Sequence, residues 1–171
     1  MNSSDDTVLN FAYGSNMLIA RIRERVPSAQ LVGIAWLEGY ELRWHKRSND
    51  GSGKCNVVQV DDLGSKVFGV LYEVPLSEKP ALDRAEGLGY GYAEGQVVVT
   101  HHGQSFRASL YCATNIDELL HPFTWYKALV VAGARQNGLP PEYIKELERA
   151  PASQDSNAER HAENMALVSA F

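Results

Sequence analysis

Val8-Leu-Asn-Phe-Ala-Tyr-Gly-Ser-Asn-Met-Leu-Ile-Ala-Arg-Ile-Arg-Glu-Arg-Val26 opens the fold. Val8 to Tyr13 reads as a short buried strand, Gly14-Ser15-Asn16 breaks it, and Met17 to Val26 reads as a helix that Pro27 stops. Leu18, Ile22 and Val26 recur at helical spacing, and Ser15 and Asn16 are both good N-cap residues. A strand, loop and helix therefore come first, after an acidic start that is expected to be unstructured.

Outward from this unit the chain turns extended. Ala29 to Lys46 ends in the alternation Tyr40, Leu42, Trp44 against Glu41, Arg43, His45, which predicts opposite faces of one strand. Ser48 to Gly53 makes a turn, Cys55 to Val60 returns as a strand, and Phe68, Val70, Tyr72 and Val74 alternate through another that Pro75 ends. Ser77 to Pro80 opens a helix through Leu82, Ala85 and Glu86, and a glycine-rich stretch, Gly87 to Gly95, follows it. Val97 to His101 and Phe106 to Ala113 pair around Gly103, with Phe106, Ala108, Leu110 and Cys112 on one face. Phe123 to Asn137 is apolar nearly all round and predicts a helix packed on more than one side; Pro141 to Arg149 is a shorter one. The order is α+β rather than a regular alternation, and closing about six strands into a small barrel would remove exposed edges. One domain is expected over residues 1–150. Residues 151–171 form a tail, either mobile or one weak helix that leaves room for a dimer arm.

Composition narrows the function. The 171 residues are 44% hydrophobic and 22% charged, with 16 Lys and Arg against 21 Asp and Glu. Nothing basic exceeds the stretch Arg43, His45, Lys46, Arg47, so no nucleic-acid partner is expected. The longest apolar stretch, Ala128 to Ala134, is far below the ~20 residues of a spanning helix, and the start is acidic rather than a basic leader. No membrane partner is expected, and two cysteines, Cys55 and Cys112, suit a reducing cytoplasm with at most one disulfide.

Several familiar sites fall away. Gly103-Gln-Ser105-Phe-Arg107 lacks the last glycine of a nucleophile elbow. Gly87, Gly89, Gly91 and Gly95 miss dinucleotide-cradle spacing and precede a strand. His101 and His102 point to opposite faces while His45, His121 and His161 are dispersed, so no metal site is expected. Cys112 belongs to an apolar strand face.

Two features survive. The loop Tyr13-Gly14-Ser15-Asn16 joins a buried strand to a helix and aims unpaired backbone N–H groups at one point, a pocket for a carboxylate or an oxyanion; the same residues also fit a plain N-capped helix. Glu86 ends its helix, where the dipole and burial among Leu82, Leu88 and Tyr90 both disfavour its charge, the condition for a group that takes up a proton and returns it; a solvated helix-end Glu fits equally. Asp83, one turn earlier, is either a second acidic group on that face or a partner of Arg84 or Lys79. Tyr92, Tyr126 and Tyr143 offer hydroxyls to a pocket or fill the core, and Lys127 snorkels, pairs or faces a ligand.

Together, Phe11-Ala-Tyr-Gly-Ser-Asn-Met17, Leu82-Asp-Arg-Ala-Glu-Gly87 and Tyr126-Lys127 with Gly133-Ala-Arg-Gln-Asn-Gly-Leu-Pro-Pro-Glu-Tyr143 resemble the γ-glutamylcyclotransferase family and its AIG2-like relatives over about residues 8 to 147. The resemblance implies a small mixed β-barrel of six to seven strands flanked by helices. It implies a cofactor-free reaction on a small molecule, in which a γ-glutamyl amide cyclises to 5-oxoproline and releases its amine. By the same resemblance Glu86 is the acid/base, Tyr13, Gly14, Ser15, Asn16, Met17 and Leu18 bind the γ-glutamyl group, and Tyr92, Tyr126 and Tyr143 line the site. Glutathione-specific members resemble this chain less at the first loop, where they carry a leucine in place of Asn16. A non-catalytic module binding a γ-glutamyl or similar carboxylated group is the alternative, and Trp36, Trp44 and His45 are candidates for the pocket beyond that group.

Overall fold

The computed structural model of the chain describes residues 6–170, so the acidic start lies outside the described residues up to position 5. The elements are β1 (Thr7–Ala12), a 3-10 turn (Ser15–Met17), α1 (Ile19–Arg25), β2 (Gln30–Glu38), β3 (Tyr40–Arg47), β4 (Gly53–Gln59), β5 (Lys66–Pro75), α2 (Lys79–Glu86), β6 (Tyr92–His101), β7 (Gln104–Ala113), α3 (Thr124–Asn137), α4 (Pro141–Arg149) and α5 (Ala158–Ser169). Five strands close a barrel in the order β1-β5-β2-β6-β7, while β3 and β4 form a separate two-stranded ribbon. The seam runs between the first and last strands, where Asn10 pairs Ser109 in parallel; the other pairings are antiparallel. The expected α+β barrel is thus present, but with five strands rather than six to seven, because β3 and β4 pair only with each other, and closure leaves it no free edge. Phe11, Ala35, Val67, Val70, Leu71, Val99 and Leu110 are almost wholly enclosed. Each large aliphatic or aromatic side chain among them stabilises the fold by about 1.5–3 kcal/mol.

Two local readings are corrected. The extended run Ala29 to Lys46 is two strands, separated at Gly39, and the alternation along the second fails. β3 slips register against β4 between Arg43 and Lys46, so the consecutive residues His45 and Lys46 are both buried. A bulge turns two neighbouring side chains to the same side, which strict period-two reading cannot foresee. The first helix starts at Ile19, not Met17, because Ser15 to Met17 wind into a tighter 3-10 turn. Neither Ser15 nor Asn16 caps it; the Ile19 N–H donates to Gln136 Oε1 on α3 at 3.0 Å.

The tail beyond Pro151 carries α5, which packs on α3. Its anchor is the buried Asp155, which accepts from Trp125 Nε1 at 2.8 Å and from Arg160 Nε and Nη2 at 2.6 and 2.7 Å. These Arg160 bonds hold the Asp155 carboxyl well below the usual carboxylate range. A value depressed in the folded state stabilises fully above the unfolded carboxylate value, about 4, and the stabilisation is lost as pH falls through the folded one. We expect α5 to stay docked from pH 7 to about pH 4.5 and to loosen in stronger acid, followed by near-ultraviolet circular dichroism of Trp125. Asp155→Ala should release it at pH 7, seen as faster proteolysis beyond Ala150; an unchanged digestion rate would assign the docking to apolar contacts alone.

Candidate active site

β1 leaves the barrel at Ala12, and the chain turns through Tyr13 to Asn16 across the barrel mouth. A cavity opens there, walled by Asn10 to Asn16, Cys55, Glu86, Tyr92, Tyr111 and Tyr126. The N–H groups of Gly14, Ser15 and Asn16 meet no protein acceptor among the described residues, whereas those of Met17 and Leu18 close the turn onto Gly14 and Ser15. These free donors belong to the turn itself, since the helix dipole starts only at Ile19.

Glu86 comes to the cavity from α2. Gly87, in the left-handed conformation at φ 72°, returns its N–H to the Arg84 and Asp83 carbonyls and ends the helix immediately after it. Glu86 Oε1 accepts from Asn16 Nδ2 at 2.6 Å and lies 3.4 Å from Arg25 Nη1, which also donates to Asn16 Oδ1. Here the sequence expectation needs correction: Tyr90 is 89% exposed and turns away, and the partners of the carboxylate are a cation and an amide rather than apolar groups. Both fix where it points.

The tyrosines form a neutral lining. Tyr13 donates to the Tyr111 carbonyl, Tyr92 donates to the Cys55 carbonyl at 2.8 Å, and the Tyr126 hydroxyl accepts the Cys55 N–H at 3.1 Å. Burial raises Tyr13, Tyr92 and Tyr126 well above the ordinary phenol value and pushes the Cys55 thiol up to about 12. None of them ionises near neutral pH, so Cys55 is no nucleophile. Among the described residues in the wall, Glu86 is the one carboxylate.

Of the residues expected at the site, Tyr13, Gly14, Ser15, Asn16, Glu86, Tyr92 and Tyr126 meet at the cavity. Met17 and Leu18 do not line it; they lie fully buried beneath the loop, where the Met17 carbonyl accepts from Tyr72 and from Asn137, both at 2.8 Å. Tyr143 lies apart too, on α4 in the neighbouring groove, its ring edge-on to Phe68 with centroids 5.2 Å apart. Asp83 pairs with Lys79 and accepts from Tyr111 at 2.6 Å, so it braces the wall from behind. Lys127 Nζ donates to the Glu148 and Ala150 carbonyls at 3.0 Å, tying down the end of α4. Trp36 packs on Phe68 away from the cavity, Trp44 stands edge-on to Tyr126, and His45 meets Asn56 at 3.1 Å.

Sequence reasoning passed over Arg25, Tyr111, Cys55 and Asn10. Arg25 lies in a helix where only Leu18, Ile22 and Val26 carried the pattern, and Tyr111 falls between the positions Phe106, Ala108, Leu110 and Cys112 that marked one face of its strand. Asn10 is a polar residue within a buried strand, 2% exposed, and its Nδ2 has no partner among the described residues. That orphan was the signal, since buried amides are ordinarily paired. Among the described residues no group of three or more His, Cys, Asp or Glu side chains is poised to hold a metal, and no helix is long and apolar enough to cross a membrane.

A barrel mouth with one carboxylate, neutral tyrosines and a loop of free N–H groups defines a small-molecule acid–base site. The AIG2-like family model matches residues 66–147. The γ-glutamylcyclotransferase of Bos taurus is 35% identical over 148 residues, which cover 83% of this chain and 78% of that one; the Homo sapiens enzyme of that name is 34% identical over 150 residues, covering 84% and 78%. A solved structure titled as a γ-glutamyl cyclotransferase superposes with a TM-score of 0.87 at 29% identity, over 97% of this chain and all of the other. The chain belongs to the γ-glutamylcyclotransferase family.

Proposed function

We propose that the chain converts γ-glutamyl amides into 5-oxoproline and a free amine, with Glu86 as the acid–base group. The α-nitrogen of the substrate attacks its own γ-carbonyl carbon, the five-membered lactam forms, and the bond from that carbon to the departing nitrogen breaks. No water is consumed and no protein nucleophile is needed. Both reacting groups belong to one molecule, so the protein's task is to fold the substrate and manage protons. Glu86 takes a proton from the α-ammonium, freeing the lone pair for attack, and returns it to the departing nitrogen; the second proton lost by the α-nitrogen is taken up by the freed amine in solvent. The free N–H groups of Gly14, Ser15 and Asn16 receive the substrate carboxylate or the developing oxyanion, and the unpartnered Asn10 amide supplies a further donor.

The observation that carries this reading is the 2.6 Å bond from Asn16 Nδ2 to Glu86 Oε1, which ties the proton-carrying group to the loop of free donors. It also bears on specificity, because a leucine at position 16 would leave Glu86 without that donor. Cys55 and Cys112 are both unpaired, which suits a reducing cytoplasm. The test is direct. Purified protein incubated with γ-glutamyl-alanine should release 5-oxoproline and alanine in equal amounts, and a folded protein that binds glutamate but releases neither from any γ-glutamyl amide would reduce the site to a binding module.

A further inference from the structure

The two-stranded ribbon keeps what closure takes from the barrel, an open strand edge. The Val60 N–H donates to the Gly39 carbonyl at 2.9 Å, and in the register of β3 with β4 that bond makes Gly39 a hydrogen-bonded position. Such positions alternate along an antiparallel pair, so Glu41 and Arg43 direct their backbone groups to Val58 and Asn56, while Tyr40 and Leu42 turn theirs away from β4. No other strand belongs to this sheet. Among the described residues the Tyr40 and Leu42 N–H groups meet no acceptor, and the Leu42 carbonyl has only the guanidinium of its neighbour Arg43, at 3.4 Å. The open stretch is short and bounded. At one end the Gly39 N–H donates to the Ser65 carbonyl, and past the bulge Arg47 N–H and the His45 carbonyl bond Asn115 and Asp117, all at 2.9 Å.

This edge lines the groove beside the cavity, together with Phe68 of β5 and with Glu142, Tyr143 and Glu146 of α4. The Phe68 and Tyr143 rings meet edge-on there. The cations of the groove are engaged, Arg43 by Glu41 and Lys66 over the Trp36 ring at 5.2 Å. Glu142 pairs with Lys145 at 3.0 Å, but Glu146, one turn further along α4, has no ion pair among the described residues. We propose that the groove receives an extended peptide segment of a partner protein, which adds as a strand to β3, lays apolar side chains on Phe68 and Tyr143, and offers a Lys or Arg to Glu146. Backbone groups recurring every second residue match the repeat of another strand, and the helix beside the edge supplies the side-chain pockets that such strand addition uses for specificity. The unpaired acid, on a chain of net charge −5, selects a basic partner over a second copy of itself. The proposal is independent of the reaction in the barrel mouth.

Random heptapeptides displayed on phage and panned against the full chain should enrich sequences that combine apolar residues with Lys or Arg. A synthetic peptide of the enriched sequence should slow amide hydrogen exchange at Tyr40 and Leu42 and leave Glu41 and Arg43, already in the ladder, as they were. N-methylation of its alternate amides should abolish binding with every side chain kept. Leu42→Pro should fold, because proline is tolerated on an edge whose N–H is unused, and should lose the peptide. Glu146→Lys, on an exposed helix position, should keep the melting temperature and weaken binding about tenfold or more. Should Leu42→Pro fail to fold, Glu146→Lys and the methylated peptide carry the decision. No enrichment, or an enriched peptide that still binds after N-methylation and to Glu146→Lys, would overturn strand addition. Protection of Tyr40 and Leu42 that grows with protein concentration alone would overturn it too, since the occupant would then be a second copy.

Discussion

Glu86→Gln should lower kcat on γ-glutamyl-alanine by about 10²- to 10⁴-fold, the range general acid–base catalysis supplies, with the melting temperature almost unchanged. The two outcomes separate because of what the substituted amide keeps. Its side chain still offers an oxygen to Asn16 Nδ2, and its volume is that of the acid. What it gives up to Arg25 is an ion pair at 3.4 Å, longer than a charge-assisted hydrogen bond. Proton transfer, by contrast, has no substitute in the wall, since the tyrosines and Cys55 stay protonated near neutral pH. Native-like kcat in the variant would mean that another group moves the proton. An equal collapse in stability would mean that Glu86 is chiefly a structural ion.

The second large effect lies outside the cavity. Gly133, on α3, faces the turn that carries the donors: a Cβ there would sit 2.6 Å from the Leu18 nitrogen and 2.8 Å from Met17. On an exposed helix face Gly→Ala stabilises by about 1 kcal/mol, but here the added methyl must push α3 away from the 3-10 turn. Overpacking of this kind costs about 1–3 kcal/mol, so Gly133→Ala should lower the melting temperature by roughly 2–12 °C for a domain of this size. It should also reduce kcat/KM well below the melting range, because Gln136 and Asn137 of the same helix hold Ile19 N and the Met17 carbonyl at 3.0 and 2.8 Å. Stabilisation by the substitution, or full activity well below the melting range, would show that the turn is positioned independently of α3.

This dependence explains what the sequence could and could not reveal. Most of the strands were legible as extended runs between turn residues, and α3 from an apolar surface all round, because both signals are local. The start of α1 was not. Ser15 and Asn16 have the chemistry of caps, but Asn16 is drawn off by Glu86, 70 positions away, and the capping falls to Gln136, 117 positions away. Long-range bonds of this kind leave no trace in spacing. Tyr111 was missed for a related reason: Ala108, Ser109, Leu110 and Tyr111 are all buried, so β7 has no outer face along that stretch and alternation carries no information. The carboxylate at the heart of the site was legible, since the glycine after it fixes where the helix ends; its partners were not.

The central claim is that the γ-glutamyl carbonyl is attacked by the substrate's own nitrogen under the control of Glu86. Turnover of γ-glutamyl-alanine in ¹⁸O-water, followed by mass spectrometry of the products, tests it most directly. The account predicts 5-oxoproline and alanine in equal amounts, neither carrying solvent oxygen, and their formation slowed at least about 10²-fold with Glu86→Gln. Glutamate bearing one ¹⁸O in its side-chain carboxyl, formed without passing through 5-oxoproline, would contradict it, because water rather than the α-amine would then be the nucleophile.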